Sequence, residues 1–236
     1  KATITVTSVA DNSKKATVNV VVGDILIPAT FADDPILGTI QNEIDKADEE
    51  STIVVMPAAY PKTYNEQLVI NKSLTLLGLN TALNGTITIT ADNVTVDGFN
   101  VVAPSDYTLP VIHIIDSDGV NIINNTVFSQ GYASIGTSSG PARVTGKISG
   151  NKVTGMIIVG TDGELEVSDN DVTLTPTSTE GICFAPVETT ARINVINNKI
   201  VQVWDGFTQI KVEHEPDSVN GKTSDIDIIE AITDDN

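Results

Sequence analysis

The sequence predicts an all-β solenoid: a single-stranded right-handed parallel β-helix of about seven coils, with an N-terminal capping helix and a short β-hairpin. Three observations carry this reading. Val, Ile and Thr supply 27, 28 and 29 of 236 residues against 11 Leu, a β-branched excess that favours strands over helices. A short phrase recurs along the chain: an apolar alternation, then Gly or Asn, then Asn, then a return to β-branched residues. Between successive phrases sits another apolar stretch, with no helical period long enough for a βαβ unit.

The phrase is clearest as Val120-Asn121-Ile122-Ile123-Asn124-Asn125-Thr126-Val127 and Val195-Ile196-Asn197-Asn198-Lys199-Ile200. It also reads as Ile148-Ser149-Gly150-Asn151-Lys152-Val153 and Val167-Ser168-Asp169-Asn170-Asp171-Val172. Upstream, Leu76-Leu77-Gly78-Leu79-Asn80 and Val96-Asp97-Gly98-Phe99-Asn100-Val101 fit the frame with an apolar residue for the second Asn. The shared position falls at 79, 99, 125, 151, 170 and 198, in steps of 20, 26, 26, 19 and 28 residues. Such a period marks a solenoid, whose repeats bury their apolar faces against their neighbours. The recurring Asn tolerates the left-handed backbone of a sharp bend. Stacked about 4.8 Å apart, Asn125, Asn151, Asn170 and Asn198 can form a hydrogen-bonded ladder. Val127, Val153, Val172 and Ile200 then make one internal aliphatic row, and Ile122, Ile148, Val167 and Val195 another. The third strands are Val111–Ile115, Met156–Val159, Ile182–Ala185 and Phe207–Val212.

In chain order, residues 1–23 hold two strand-like segments, 2–11 and 14–22, and 24–236 hold the β-helix. Residues 23–31 connect the two parts. Asp34 can cap a helix with Pro35 at its first position, and Ile36, Leu37, Ile40, Ile44 and Ala47 share one face of it, so a capping helix is expected near 35–49. At the far end, Ser224–Ile229 can be a strand and Thr233–Asn236 looks frayed.

From the helix through Asn80 the chain resembles the opening of the pectin-lyase-like right-handed β-helix superfamily, and in particular the pectinesterase-type start. The residues that carry this are Ile53-Val54-Val55-Met56-Pro57, Tyr60, Thr63-Tyr64-Asn65-Glu66-Gln67-Leu68-Val69-Ile70 and Ser73-Leu74-Thr75-Leu76-Leu77-Gly78. The likeness implies the fold and no activity. Ala2–Asp11 and Lys14–Val22 resemble the closing two strands of a bacterial immunoglobulin-like domain of the group 2 kind. That implies a modular bacterial surface or secreted protein, from which this chain reads as a piece.

Charge and composition remove several function classes. With 31 acidic against 13 basic side chains, the net charge is −18, which repels nucleic acid and anionic membrane surfaces. No apolar run reaches a transmembrane length, so no membrane insertion is expected of these residues. A single cysteine, Cys183, leaves no disulfide framework and no multi-cysteine zinc site.

Enzymes of the superfamily act on polysaccharides by several chemistries, and none of their motifs follows Asn80. The two arginines available as a lyase base, Arg143 and Arg192, lie outside any matching motif. Acid pairs for hydrolysis exist at Asp116 and Asp118, Asp162 and Glu164, and Asp169 and Asp171, with Asp205 alone. Most adjoin Gly or Asn, where Asp serves turns, and that reading outweighs catalysis. Asp116-Ser117-Asp118-Gly119 echoes a calcium loop without the bidentate Glu an EF-hand needs, so no cofactor is expected and Ca²⁺ is left without support. His113 and His214 are too few for a His-rich metal site and read as structural. Cys183 reads as a small buried core residue.

Loops leaving the row of Val127, Val153, Val172 and Ile200 share one side of the rod and carry Tyr107, Tyr132 and Trp204 among ten aromatics in the chain. Exposed aromatics stack on sugar rings, although packing over coil ends explains them more simply. Weighed together, these features lead to the expectation of a non-catalytic extracellular module for adhesion or carbohydrate binding, on the bacterial cell surface. Its partner is a glycan or a surface protein, with Tyr107, Tyr132 and Trp204 as carbohydrate-binding residues. The rival is a polysaccharide lyase, hydrolase or esterase with an unfamiliar acidic site. A third reading is a bare structural stalk.

Overall fold

The computed structural model describes residues 2–7, 15–20, 23–28, 39–58, 63–104, 107–131, 133–137, 143–175, 180–184, 192–201, 208–212, 225–228 and 231–234. Ala2–Thr7 and Lys15–Val20 pair antiparallel as a two-stranded sheet of their own. Every other pairing among the described strands is parallel, and each joins successive coils of a β-helix.

Three faces run along it. Face one holds Ile25–Ile27, Ser51–Val55, the first half of Leu74–Asn84, the first half of Thr95–Val102, Ser117–Ile123, Val144–Ser149, Glu164–Ser168, Arg192–Ile196 and Asp225–Ile228. Face two holds the second halves of the two long strands, then Thr126–Phe128, Lys152–Thr154, Asp171–Thr173, Asn198–Val201 and Ala231–Asp234. The last of these is a strand where the sequence suggested fraying. Face three holds Gln67–Ile70, Thr86–Ile89, Ile112–Ile114, Ile135–Thr137, Ile157–Val159, Glu180–Phe184 and Thr208–Val212. These seven described strands agree with the expectation of about seven coils.

The interior is built from stacked identical positions. Val127, Val153, Val172 and Ile200 are in register and buried, and the row extends upward through Val101 and Leu83. Ile122, Ile148, Val167 and Val195 form the second row, continued by Val96, Leu76 and Ile53. Face three adds Leu68, Ile87, Ile112, Ile135, Ile157 and Ile182. Stacking like on like keeps the cross-section constant, so coil lengths differ only at the corners.

The corner between faces one and two divides the phrase into two jobs. The left-handed residue is the one before the stacked Asn: Gly98, Asn124, Gly150, Asp169 and Asn197 have φ of 79°, 55°, 67°, 56° and 51°. The ladder residue follows, with its side chain inside. Asn125 Nδ2 donates to Asn151 Oδ1 at 3.2 Å, Asn151 Nδ2 to Asn170 Oδ1 at 3.0 Å, and Asn170 Nδ2 to Asn198 Oδ1 at 2.9 Å. Each of these oxygens also accepts the preceding ladder residue's backbone N–H, and each amide nitrogen donates to a backbone carbonyl of the preceding coil. Phe99 N–H closes the first end on Asn125 Oδ1 at 2.9 Å.

Upstream the frame differs from the sequence reading. Thr81, not Leu79, stands in register with Phe99, because Gly78-Leu79-Asn80 bulges opposite Gly98. Asn80 takes the left-handed turn there, with φ of 60°, and Thr81 Oγ1 donates to Val55 O at 2.7 Å.

The helix spans Thr39–Lys46 with Ile40, Ile44 and the following Ala47 buried; Asp34, Pro35, Ile36 and Leu37 lie outside the described residues. The first coil grips the helix at both ends. Glu66, 7 % exposed, accepts the N–H groups of Thr39 and Ile40 on Oε1 and of Gln41 on Oε2, at 3.0, 3.1 and 3.0 Å. Lys72 Nζ donates to the carbonyls of Asp45 and Ala47, both at 2.9 Å. Gln41 closes the sheet edge: its amide donates to Val69 O and accepts Val69 N–H, as a neighbouring strand would.

Candidate functional site

A solenoid of stacked coils offers sites only on its outer faces and corner loops, because the interior is filled. Long insertions fall at the two corners that flank face three. Between faces two and three they are 103–111, 129–134, 174–179 and 202–207; beyond face three they are 138–143, 185–191 and 213–224. Face three lies between these insertions, and its outward row shows which side chains it presents.

In register from coil to coil, the row reads Thr88, His113, Gly136, Ile158 and Cys183. His113 is 9 % exposed, and burial pushes its imidazole below the ordinary value of 6.5. A Cβ on Gly136 would meet Ile158 Cγ2 at 2.5 Å and Pro110 Cγ at 2.8 Å, so the loop that brings Pro110 lies directly on the strand. Cys183 packs with Ala133 and Met156 in a small cluster outside the solenoid, against Ile158. It is buried, as the sequence suggested, but on the outer side of the sheet, since its neighbour Ile182 faces the main core. Three strand spacings separate His113 from Cys183, about 14 Å, too far for a thiolate–imidazole pair.

The paired acids serve corners, backbone and basic partners. Asp116 takes a left-handed φ of 44°, and its Oδ1 accepts Arg143 N–H at 3.1 Å. Asp118 lies in a bulge where the register with Val144–Ser149 shifts, and receives Arg143 Nε at 3.0 and 3.1 Å. Asp92 accepts Asp118 N–H, Asp24 accepts Thr52 N–H, and Asp97 accepts Asn124 Nδ2. Asp169 forms the left-handed corner before the ladder, and Asp171 stands on face two between Lys152 and Lys199. Arg192 stands opposite Glu164. Among the described residues no three His, Cys, Asp or Glu converge as a metal site would require. Asp205 and His214 lie outside the described residues.

Of the aromatics read as sugar-binding, Tyr107 is half-buried, packs on the main core and donates its N–H to Pro104 O at 3.1 Å. Tyr132 and Trp204 lie outside the described residues. A further set went unread in the sequence: the outward side chains of face two, one and three places after each stacked Asn. Val102 is 44 % exposed, and Phe128, Thr154, Thr173 and Val201 are half-buried in register with it. Thr126, Lys152 and Asp171, in the parallel row beside them, are exposed. The signal was the strand alternation itself, which sends every second residue outward.

Comparison with protein-family models, with curated proteins and with solved structures found no match to the chain.

Proposed function

We propose that the chain is a non-catalytic extracellular module, for carbohydrate binding or adhesion, within a multidomain bacterial surface protein. The observation that carries the proposal is the use of its carboxylates. Asp24, Glu66, Asp92 and Asp116 each accept backbone N–H groups and Asp118 receives Arg143, so these acids are used to hold corners and the cap rather than gathered in one groove as a hydrolase or lyase would need. The wide separation of His113 from Cys183 supports the same reading. The finer kinship, to the pectin-lyase-like superfamily and to the tail of a group 2 immunoglobulin-like domain, belongs to this proposal. It is supported by the opening-coil residues 53–78 and by the antiparallel pairing of Ala2–Thr7 with Lys15–Val20.

Incubation with neutral and acidic polysaccharides, with and without Ca²⁺, followed by size exclusion, tests it. Co-elution with uncut polymer is the expected outcome, and shortened polymer overturns it. A variant lacking Tyr107, Tyr132 and Trp204 together is expected to lose the glycan; full binding by that variant removes the aromatic loops from the site.

A further inference from the structure

We infer that the outer surface of face two, from Val102 to Val201, is a track for a neutral polysaccharide strand lying along the solenoid axis. The inference rests on the binding reading above and assigns it a surface and a ligand class.

Two parallel rows of different chemistry run along this face. The row nearer the long loops reads Val102, Phe128, Thr154, Thr173 and Val201, in continuous register over five coils. At one strand spacing per coil it is about 19 Å long. Its three apolar members fall in the coils whose face-two strand runs on into the segments carrying Tyr107, Tyr132 and Trp204. In the two coils between, the same place is Thr. The second row reads Asn100, Thr126, Lys152, Asp171 and Lys199. Exposure of Val102, Thr126, Lys152 and Asp171 keeps the face open to solvent.

A pyranose chain is itself two-sided, with C–H groups on its ring faces and hydroxyls at its edges. The Val102–Phe128–Val201 row offers apolar surface to the former, and the amide, hydroxyl and charged row offers donors and acceptors to the latter. Charge selects the neutral class. Lys152 and Lys199 flank Asp171, so the strip sums to one positive charge on a molecule of −18, too little to hold a polyanion against that field. The other faces fit worse. Face three is closed by Pro110, Ala133 and Met156, and face one sets Lys147 opposite Glu166 and Glu164 opposite Arg192.

Affinity electrophoresis of the whole chain, through gels holding laminarin, mannan, xylan or dextran and separately polygalacturonate or hyaluronate, tests the track. A double variant, Val102→Ser with Phe128→Ser, strips the apolar row. A second variant, Thr154→Arg, blocks the track without removing any packing, and thermal unfolding checks that both fold. Retardation by a neutral polymer that weakens about tenfold or more in both variants supports the inference. Undiminished retardation in both overturns the track while the binding reading stands. Retardation by the polyanions alone overturns the neutral class. Passage unretarded through every gel overturns the inference together with the carbohydrate-binding half of the function.

Discussion

Asn151 shows how much one side chain can hold here. Its amide oxygen takes two donors from Asn125, and its nitrogen serves Ile122 O and Asn170 Oδ1, all inside the solenoid. Alanine at 151 strands the Asn125 backbone N–H in an apolar interior that water does not reach. Asn151→Ala is therefore expected to cost about 3 kcal/mol in urea unfolding, well above a surface Asn. His113 offers a second test at this scale. Burial lowers its folded-state pKa below 6.5, so the unfolded chain takes up the proton first as pH falls. Its contribution is complete above that value and is lost as pH drops through the window beneath it. The midpoint temperature of His113→Gln should fall less than that of the natural chain between about pH 7.5 and about pH 5.5. Equal falls would show that His113 does not titrate differently on folding. The glycine at 146 illustrates a residue choice with no alternative: at φ of 121°, any Cβ would run into the carbonyl of Val120.

At the scale of elements, the helix takes its stability from outside itself. Eight residues are too few to hold a helix in water alone. Ile40 and Ile44 bury against the first coil, and Glu66 and Lys72 satisfy the two ends. Glu66→Ala is expected to cost about 1–2 kcal/mol and to raise hydrogen exchange at Thr39, Ile40 and Gln41, with Glu66→Gln intermediate because it keeps one acceptor oxygen. Unchanged exchange at those three amides would mean that the carboxylate does not hold the helix. The sequence pattern showed the apolar helix face, the two aliphatic rows and the ladder plainly, because each repeats an identical residue type at a fixed place. It did not show Glu66, which occurs once and acts through a partner 25–27 residues away. The bulge at 78–80 was hidden for a related reason: Gly78-Leu79-Asn80 copies the spelling of the corner two residues early. Cys183 was read as buried correctly, but the side of the sheet follows from register, which composition does not contain.

Across the whole molecule, register is written in charge as well as in shape. Coil five carries Arg143, Lys147 and Lys152, coil six Glu164, Glu166 and Asp171, and coil seven Arg192 and Lys199. Pairing sets Lys147 opposite Glu166, Lys152 opposite Asp171, Glu164 opposite Arg192 and Asp171 opposite Lys199. A slip by one coil would place like charges together, so the pattern disfavours misthreading more than it adds stability. Lys147→Glu or Glu166→Lys alone should destabilise by about 0.5 kcal/mol, and the exchanged double variant should recover most of it in low salt. Full additivity of the two single effects would show that the pair is not coupled. The surface inferred to bind was the least legible feature at this scale. A flat outer face has no motif; it exists only when five separate coils are laid side by side.

The ladder has a direction. Every amide in it turns its oxygen towards the first coil and its nitrogen towards the last, so the four dipoles point the same way. An additional coil ending in the same left-handed residue and Asn could enter between any two of these rungs, accepting from one neighbour and donating to the next with no group orphaned. Above Asn125 the position belongs to Phe99, whose backbone alone reaches the first oxygen, and below Asn198 the partner position is Ala231, which has no amide to accept. Growth by duplication is thus permitted within the ladder and stopped at its two ends, so that the number of coils can change without redesign of the helical cap.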